Sequence, residues 1–143
     1  ESELIKIAKA CKKNRYQLFV SNNLKLAIKF KADGVYIPSF NKKRNYSNIE
    51  NKNISIIGSA HNQKEIHEKI SQNCTAVFLS PLFHVKKSKK FLDLHKFNYL
   101  SSLNNIDVLA LGGISDTNIK KLKLLSIKGF GGIRFFTKKN RPI

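Results

Sequence analysis

The sequence predicts an α/β fold, an incomplete (β/α) barrel of TIM type. Two observations predict it. Short apolar runs alternate with helix-period stretches along all 143 residues, the pattern of a parallel sheet covered by helices. The last two apolar runs carry glycine pairs: Ile106-Asp107-Val108-Leu109-Ala110-Leu111-Gly112-Gly113-Ile114, and Gly129-Phe130-Gly131-Gly132-Ile133-Arg134-Phe135-Phe136. Barrels of this kind often hold phosphate in the loops after strands seven and eight, where main-chain N–H groups face the anion. Only glycine brings a backbone that close to an anion without a Cβ in the way. A Gly-Gly after a strand also makes a plain tight turn, and the residues alone leave both readings open. An intact barrel needs roughly 200–250 residues. A chain of 143 residues, read as one domain, is therefore a partial barrel.

Each element follows from its residues. Leu4, Ile5, Ile7, Ala8 and Cys11 give residues 3–13 a helical period. Gln17-Leu18-Phe19-Val20 is a strand, and Leu24, Leu26, Ala27, Ile28 and Phe30 make a helix. Asp33-Gly34 turns into the strand Val35-Tyr36-Ile37. Residues 38–53 are rich in Asn and Lys and read as a loop with room for one helical turn. Ile54-Ser55-Ile56-Ile57-Gly58 is the third strand, and Asn62 caps a helix carrying Ile66 and Ile70. Ala76-Val77-Phe78-Leu79 is the fourth strand, stopped by Ser80-Pro81. After a basic loop, Leu94, Phe97, Leu100 and Leu103 mark a helix over 94–103. Val108–Leu111 is the fifth strand. Ser115 or Asp116 caps a helix bearing Ile119, Leu122, Leu124 and Leu125, and Ile133–Phe136 is the sixth strand.

The chain has 27 Lys+Arg against 9 Asp+Glu, a net charge of +18. Such charge first suggests nucleic acid. The basic residues are scattered, however, and the densest cluster, Lys86-Lys87-Ser88-Lys89-Lys90, is one loop without interleaved aromatic residues. A basic mouth for small phosphorylated molecules explains the charge more economically, and argues against nucleic acid as partner. Cys11 and Cys74 fit no metal spacing and read as reduced core residues, which suits a cytoplasmic location. No stretch reads as a signal peptide or a membrane span. Beyond the strand–helix alternation there is no internal repeat.

Four segments, in this order and spacing, carry a resemblance: Ala32-Asp33-Gly34-Val35-Tyr36-Ile37, Ile57-Gly58-Ser59-Ala60-His61, Ser80-Pro81-Leu82-Phe83, and Ala110-Leu111-Gly112-Gly113-Ile114. Together they resemble the thiamine phosphate synthase superfamily, which includes the thiazole tautomerases. The resemblance covers nearly the whole chain. It implies that Glu1 lies in or near the second barrel helix, that the first two strands are absent, and that the chain holds strands three to eight. It also implies a role in thiamine biosynthesis. The family's synthase joins hydroxymethylpyrimidine pyrophosphate to a thiazole phosphate and releases pyrophosphate.

The resemblance assigns roles by position. The two acids that hold Mg²⁺ in the family fall on Asn22 and Asn41, which are amides without charge, so metal binding is weakened. Ser59 matches a serine near the pyrophosphate. Lys89 takes the place of the pyrophosphate lysine, with Lys87, Ser88 or Lys90 as alternatives. Gly112, Gly113, Gly131 and Gly132 match the thiazole-phosphate cradle. Arg134 stands where a serine is usual, either binding that phosphate bidentately or filling its place. His61 matches the histidine that moves a proton on the thiazole ring in the tautomerase branch, and imidazole suits proton transfer near neutral pH. The synthase branch also carries His here. His67, His84 and His95 are spread out, and no catalytic triad, P-loop or zinc pattern is present.

Three readings follow: the synthase itself, a tautomerase-like or otherwise diverged phosphate-binding barrel, or a non-enzymatic basic binding protein. The amide pair argues against the first and the retained glycines against the third. A barrel short of two strands exposes two sheet edges, and a homo-oligomer is one remedy.

Overall fold

The computed structural model describes residues 2–44, 46, 53–86 and 88–137. Its elements are α1 (Ser2–Asn14), β1 (Phe19–Ser21), α2 (Leu24–Lys29), β2 (Gly34–Ile37), β3 (Ser55–Ala60) and α3 (Gln63–Ser71). Then come β4 (Ala76–Leu79), α4 (Asp93–Ser102), β5 (Asp107–Leu111), a 3₁₀ helix (Ile119–Leu124), β6 (Gly129–Gly131) and α5 (Ile133–Thr137). The six strands form one sheet in sequential order, β1 to β6. Every neighbouring pair is parallel, with Val35 opposite Ile56, Ser59 opposite Phe78 and Leu111 opposite Gly131. This is a (β/α) half-barrel, open between β6 and β1 among the described residues.

Alternation along the strands divides the sheet's two faces. Val35, Ile37, Val77, Leu79, Val108 and Ala110 are buried under the helices. Ile66 of α3 and Phe97 and Leu100 of α4 close the larger core over β3, β4 and β5. Ala27 and Ala32 pack with Val20, Val35, Ile37, Ile56, Tyr46 and Cys74 in a second core. On the inner face Tyr36, Ile57, Phe78 and Leu109 are half-buried, and the Tyr36 and Phe78 rings meet edge to face at 6.4 Å.

Capping follows the residue chemistry. Asn23 accepts from the Leu26 N–H at 2.9 Å and starts α2. Asn62 accepts from the Glu65 N–H at 3.0 Å, and Glu65 reaches back to the His61 N–H at 2.8 Å, a reciprocal cap that starts α3.

Three expectations are corrected. The sixth strand is Gly129–Gly131, and Ile133–Phe136 lies in the helix α5. Helical winding from Gly132 lets Phe135 and Phe136 fold back on Phe130, with ring centroids 5.5 Å and 5.7 Å away. A strand there would have sent these rings to opposite faces. The helix expected after β5 is present as a 3₁₀ helix, and its cap is the second correction. Its inward residues Ile119, Leu122 and Leu125 recur every three positions, the period of a 3₁₀ helix, while Leu124 is 67 % exposed. Asn118, not Ser115 or Asp116, precedes its first turn, and its side chain is spent on Gly113 and Ser115. Finally, Cys11 is half-buried on α1, while Cys74 is in the core as expected.

Both cysteines are free thiols. Burial pushes the Cys74 thiol up to about 11, with the neighbouring Lys69 charge opposing the shift. At pH 8 only about one Cys74 thiol in a thousand is then ionised, and the thiolate is the reactive form. Under native conditions at that pH a thiol reagent is expected to label Cys11 and spare Cys74 until denaturant is added. Rapid loss of both thiols in native buffer, counted by mass spectrometry, would contradict this placement.

Candidate functional site

In a parallel sheet every strand points the same way, so all loops after the strands emerge at one end. Asn22 follows β1, Asn41 follows β2, His61 follows β3 and Lys89 lies in the loop after β4. Gly112 and Gly113 follow β5, and Gly132 and Arg134 follow β6. The topology thus gathers nearly all the expected residues at the carboxyl end. Ser59 lies inside β3, buried, opposite Phe78 and beneath that end. Gly131 is the last residue of β6. A cavity of about 360 Å³ lined by Ala27, Ala32, Asp33 and Ile54 sits near the starts of β2 and β3, away from these residues.

His61 is exposed and held in one orientation. Its Nδ1 lies 2.8 Å from the Ser80 main-chain oxygen and 3.1 Å from the Ser80 hydroxyl. A carbonyl can only accept, so Nδ1 carries the proton and Nε2 presents a lone pair. Oriented this way, the ring can take up a proton at Nε2.

The glycine pair after β5 has a packing reason for being glycine. Gly112 and Gly113 have φ of +97° and +70°. A Cβ on Gly112 would stand 2.8 Å from Pro81 Cα, and one on Gly113 would stand 2.6 Å from the His84 carbonyl oxygen. The loops after β4 and β5 are therefore pressed together, and Phe83 N–H bonds the Gly112 carbonyl at 3.1 Å. Asn118 Nδ2 holds the Gly113 carbonyl at 2.8 Å. Among the described residues no protein acceptor engages the N–H of Gly113 or of Gly132. Leu111 pairs with Gly131, so the two glycine turns leave the sheet side by side.

The remaining basic candidates are exposed. Arg134 is on α5 and not, as expected, on a strand. Lys89 is in a loop tightened by the Ser88 hydroxyl, which donates to the Lys90 carbonyl at 2.9 Å. The alternative Lys87 lies outside the described residues.

Asn22 and Asn41 do meet, but through each other: Asn41 Nδ2 donates to Asn22 Oδ1. Asn41 Oδ1 accepts from the Lys43 N–H at 2.8 Å. Both amide oxygens are thus engaged and neither carries charge. Two carboxylates in these places would repel, and a divalent cation would relieve them; two amides close on each other without one. Among the described residues no group of three or more His, Cys, Asp or Glu is arranged to hold a metal ion. The donor set present does not fit Mg²⁺.

Sequence reasoning missed two residues beside this pair. Lys69 on α3 and Gln72, which caps its C-terminal end, are fully buried. Lys69 Nζ donates to the carbonyls of Pro38 (2.9 Å) and Asn41 (2.8 Å) and to Gln72 Oε1 (2.8 Å). Gln72 Nε2 donates to the carbonyls of Asn41 (2.9 Å) and Lys43 (2.8 Å). Burial pushes the Lys69 ammonium below its usual range, against the raising influence of Cys74, Glu68 and Glu65. The only signal in the sequence was a lysine at helical spacing from Ile66, on the apolar stripe.

Fold and site together define a (β/α)-barrel-type protein whose loop residues converge on the carboxyl ends of its strands. Residues 1–135 match the thiamine monophosphate synthase family, and the chain belongs to that family. It is 33% identical over 131 residues to a thiamine-phosphate synthase of Prochlorococcus marinus subsp. pastoris, covering 85% of this chain and 35% of that one. A thiamine-phosphate synthase of Hydrogenobaculum sp. is 26% identical over 135 residues, with 89% and 61% covered. The chain therefore spans between about a third and three fifths of the length of these relatives. The thiamine phosphate pyrophosphorylase of Pyrococcus furiosus superposes with a TM-score of 0.74 at 18% identity, over 90% of this chain and 65% of that one. That likeness is one of fold.

Proposed function

We propose that the chain supplies strands three to eight of a thiamine-phosphate-synthase-type barrel and binds the phosphate of a thiazole phosphate between the turns after β5 and β6. The observation that carries this reading is the pair of N–H groups, Gly113 and Gly132, on adjacent loops at the carboxyl end, which no acceptor engages among the described residues. Arg134 and the basic loop containing Lys89 add positive charge around that end.

The full reaction would join the thiazole ring nitrogen to the pyrimidine methylene while pyrophosphate leaves. Ser59 and Lys89 would face the pyrophosphate. Asn22 and Asn41 do not supply the charge that helps it depart, so this chain alone is expected to couple poorly. A second reading is favoured by His61, whose oriented Nε2 suits proton transfer on the thiazole ring. No helix among the described residues is long and apolar enough to cross a membrane. Action on small cytoplasmic phosphates, with pairing of the open β1 and β6 edges between copies, fits the sheet.

The test is a calorimetric titration with thiazole phosphate. Binding is expected at low ionic strength and should weaken steadily as salt is added, because exposed charges are screened. Absence of heat and of chemical-shift change at low salt would remove the site.

A further inference from the structure

The residues that do not fit Mg²⁺ are backed by a cation of the chain's own. Lys69 has no exposed surface, and its three ammonium protons end on three neutral oxygens. Among the described residues no carboxylate pairs with it. A buried lysine so placed is costly unless something is gained from its charge. Its stem runs past Gly58, where a Cβ would come within 2.7 Å of Lys69 Cδ. The glycine in β3 thus leaves the passage through which α3 reaches the loop after β2. At the far end the ammonium and Gln72 together gather the carbonyls of Pro38, Asn41 and Lys43. One of those carbonyls, shared by both donors, belongs to Asn41, the residue whose side chain closes on Asn22.

We propose that Lys69 is the internal cation of this site: its ammonium organises the 38–43 loop and sets the Asn22–Asn41 amide pair, in place of a bound divalent cation. The assignment rests on the geometry of the loop and not on which phosphate binds nearby. Two neutral amides and a fixed positive charge behind them disfavour a second cation. Two acids at the same positions would compete with the ammonium for it. Lys69 is a positioning residue here, since it reaches the pair only through the Asn41 main chain.

The experiment uses Mn²⁺ alone as a paramagnetic probe of the full chain, with amide hydrogen exchange read on the same samples. The native chain is expected to show no Mn²⁺ broadening at Asn22 or Asn41. Lys69→Gln should speed exchange of the Lys43 amide at least about tenfold while the amides of β3 and β4 stay protected. The Asn22→Asp/Asn41→Asp variant should gain broadening at both positions. Adding Lys69→Gln to it should tighten Mn²⁺ by at least about tenfold. Site-specific Mn²⁺ binding by the native chain would overturn the proposal. So would an aspartate pair whose affinity ignores residue 69, or an unchanged Lys43 amide. If Lys69→Gln does not fold, the native chain and the aspartate pair still decide: broadening in the native chain refutes the internal cation, and broadening confined to the aspartate variant supports it.

Discussion

Gly113→Ala should lower the unfolding midpoint by about 10 °C and weaken binding of thiazole phosphate. Gly113 sits at φ +70°. Placing any L side chain there costs roughly 1–2 kcal/mol from its own backbone. The new methyl would also stand 2.6 Å from the His84 carbonyl oxygen and 2.7 Å from that of Phe83. Those are main-chain atoms, so the loop after β4 must move as a unit, and the total loss is about 3 kcal/mol. For a domain of this size each kcal/mol shifts the midpoint by about 3 °C. The shift would also turn the Gly113 N–H away from its place beside the Gly132 turn, so affinity should fall even where the variant remains folded. Thermal unfolding and calorimetry on one preparation measure both effects. A variant as stable as the native chain would mean that the two loops are not pressed together.

Much of this architecture was legible because its signals are local. Short apolar runs with turn residues between them, such as Val35-Tyr36-Ile37 and Ala76–Leu79, need no tertiary information to read as parallel strands. Asn62 likewise announces α3, because its side chain and the Glu65 N–H are close in sequence. The end of the chain reads as a strand, and is not one, for a physical reason. Ile133–Phe136 is as apolar as a strand, and the choice of helix comes from Phe130, to which Phe135 and Phe136 return. The helix after β5 is legible in the sequence but its type is not, because Ile119, Leu122 and Leu125 fit either period over so few turns.

The candidate site shows the same division. The sequence could assign Asn22, Asn41 and His61 to successive strand ends, and parallel topology brought those ends together. What the glycines do was only half visible. An anion cradle explains their freedom from side chains, but the contact of Gly112 with Pro81 and of Gly113 with His84 joins loops some thirty residues apart. Lys69 was hidden altogether. In a chain with 27 basic residues another lysine on a helix reads as solvated surface. Only the tertiary structure shows that its ammonium is enclosed by carbonyls of a loop from before β3.

His61→Ala should cost this chain about 10²–10⁴-fold in any proton exchange on a bound thiazole phosphate, the usual contribution of a positioned general acid–base. Orientation is what equips the ring for this. The Ser80 carbonyl accepts from Nδ1 at 2.8 Å, which leaves Nε2 as the basic nitrogen, exposed at the carboxyl end of the sheet. Ser80→Ala keeps that carbonyl and removes only the hydroxyl contact at 3.1 Å, so it should retain activity within about tenfold. His61→Gln keeps a polar side chain but no base near neutral pH, and should fall with His61→Ala. The measurement is deuterium exchange into a bound thiazole phosphate, followed by proton NMR, beside a coupling assay with hydroxymethylpyrimidine pyrophosphate. Coupling by the native chain is expected to stay near background, because neither Asn22 nor Asn41 can neutralise the leaving pyrophosphate through a firmly held cation. Exchange that survives His61→Ala unchanged would take His61 out of the chemistry and leave the chain as a phosphate-binding barrel. Brisk coupling by the native chain would show that the amide pair, with the charge of Lys69 behind it, suffices where the family uses acids.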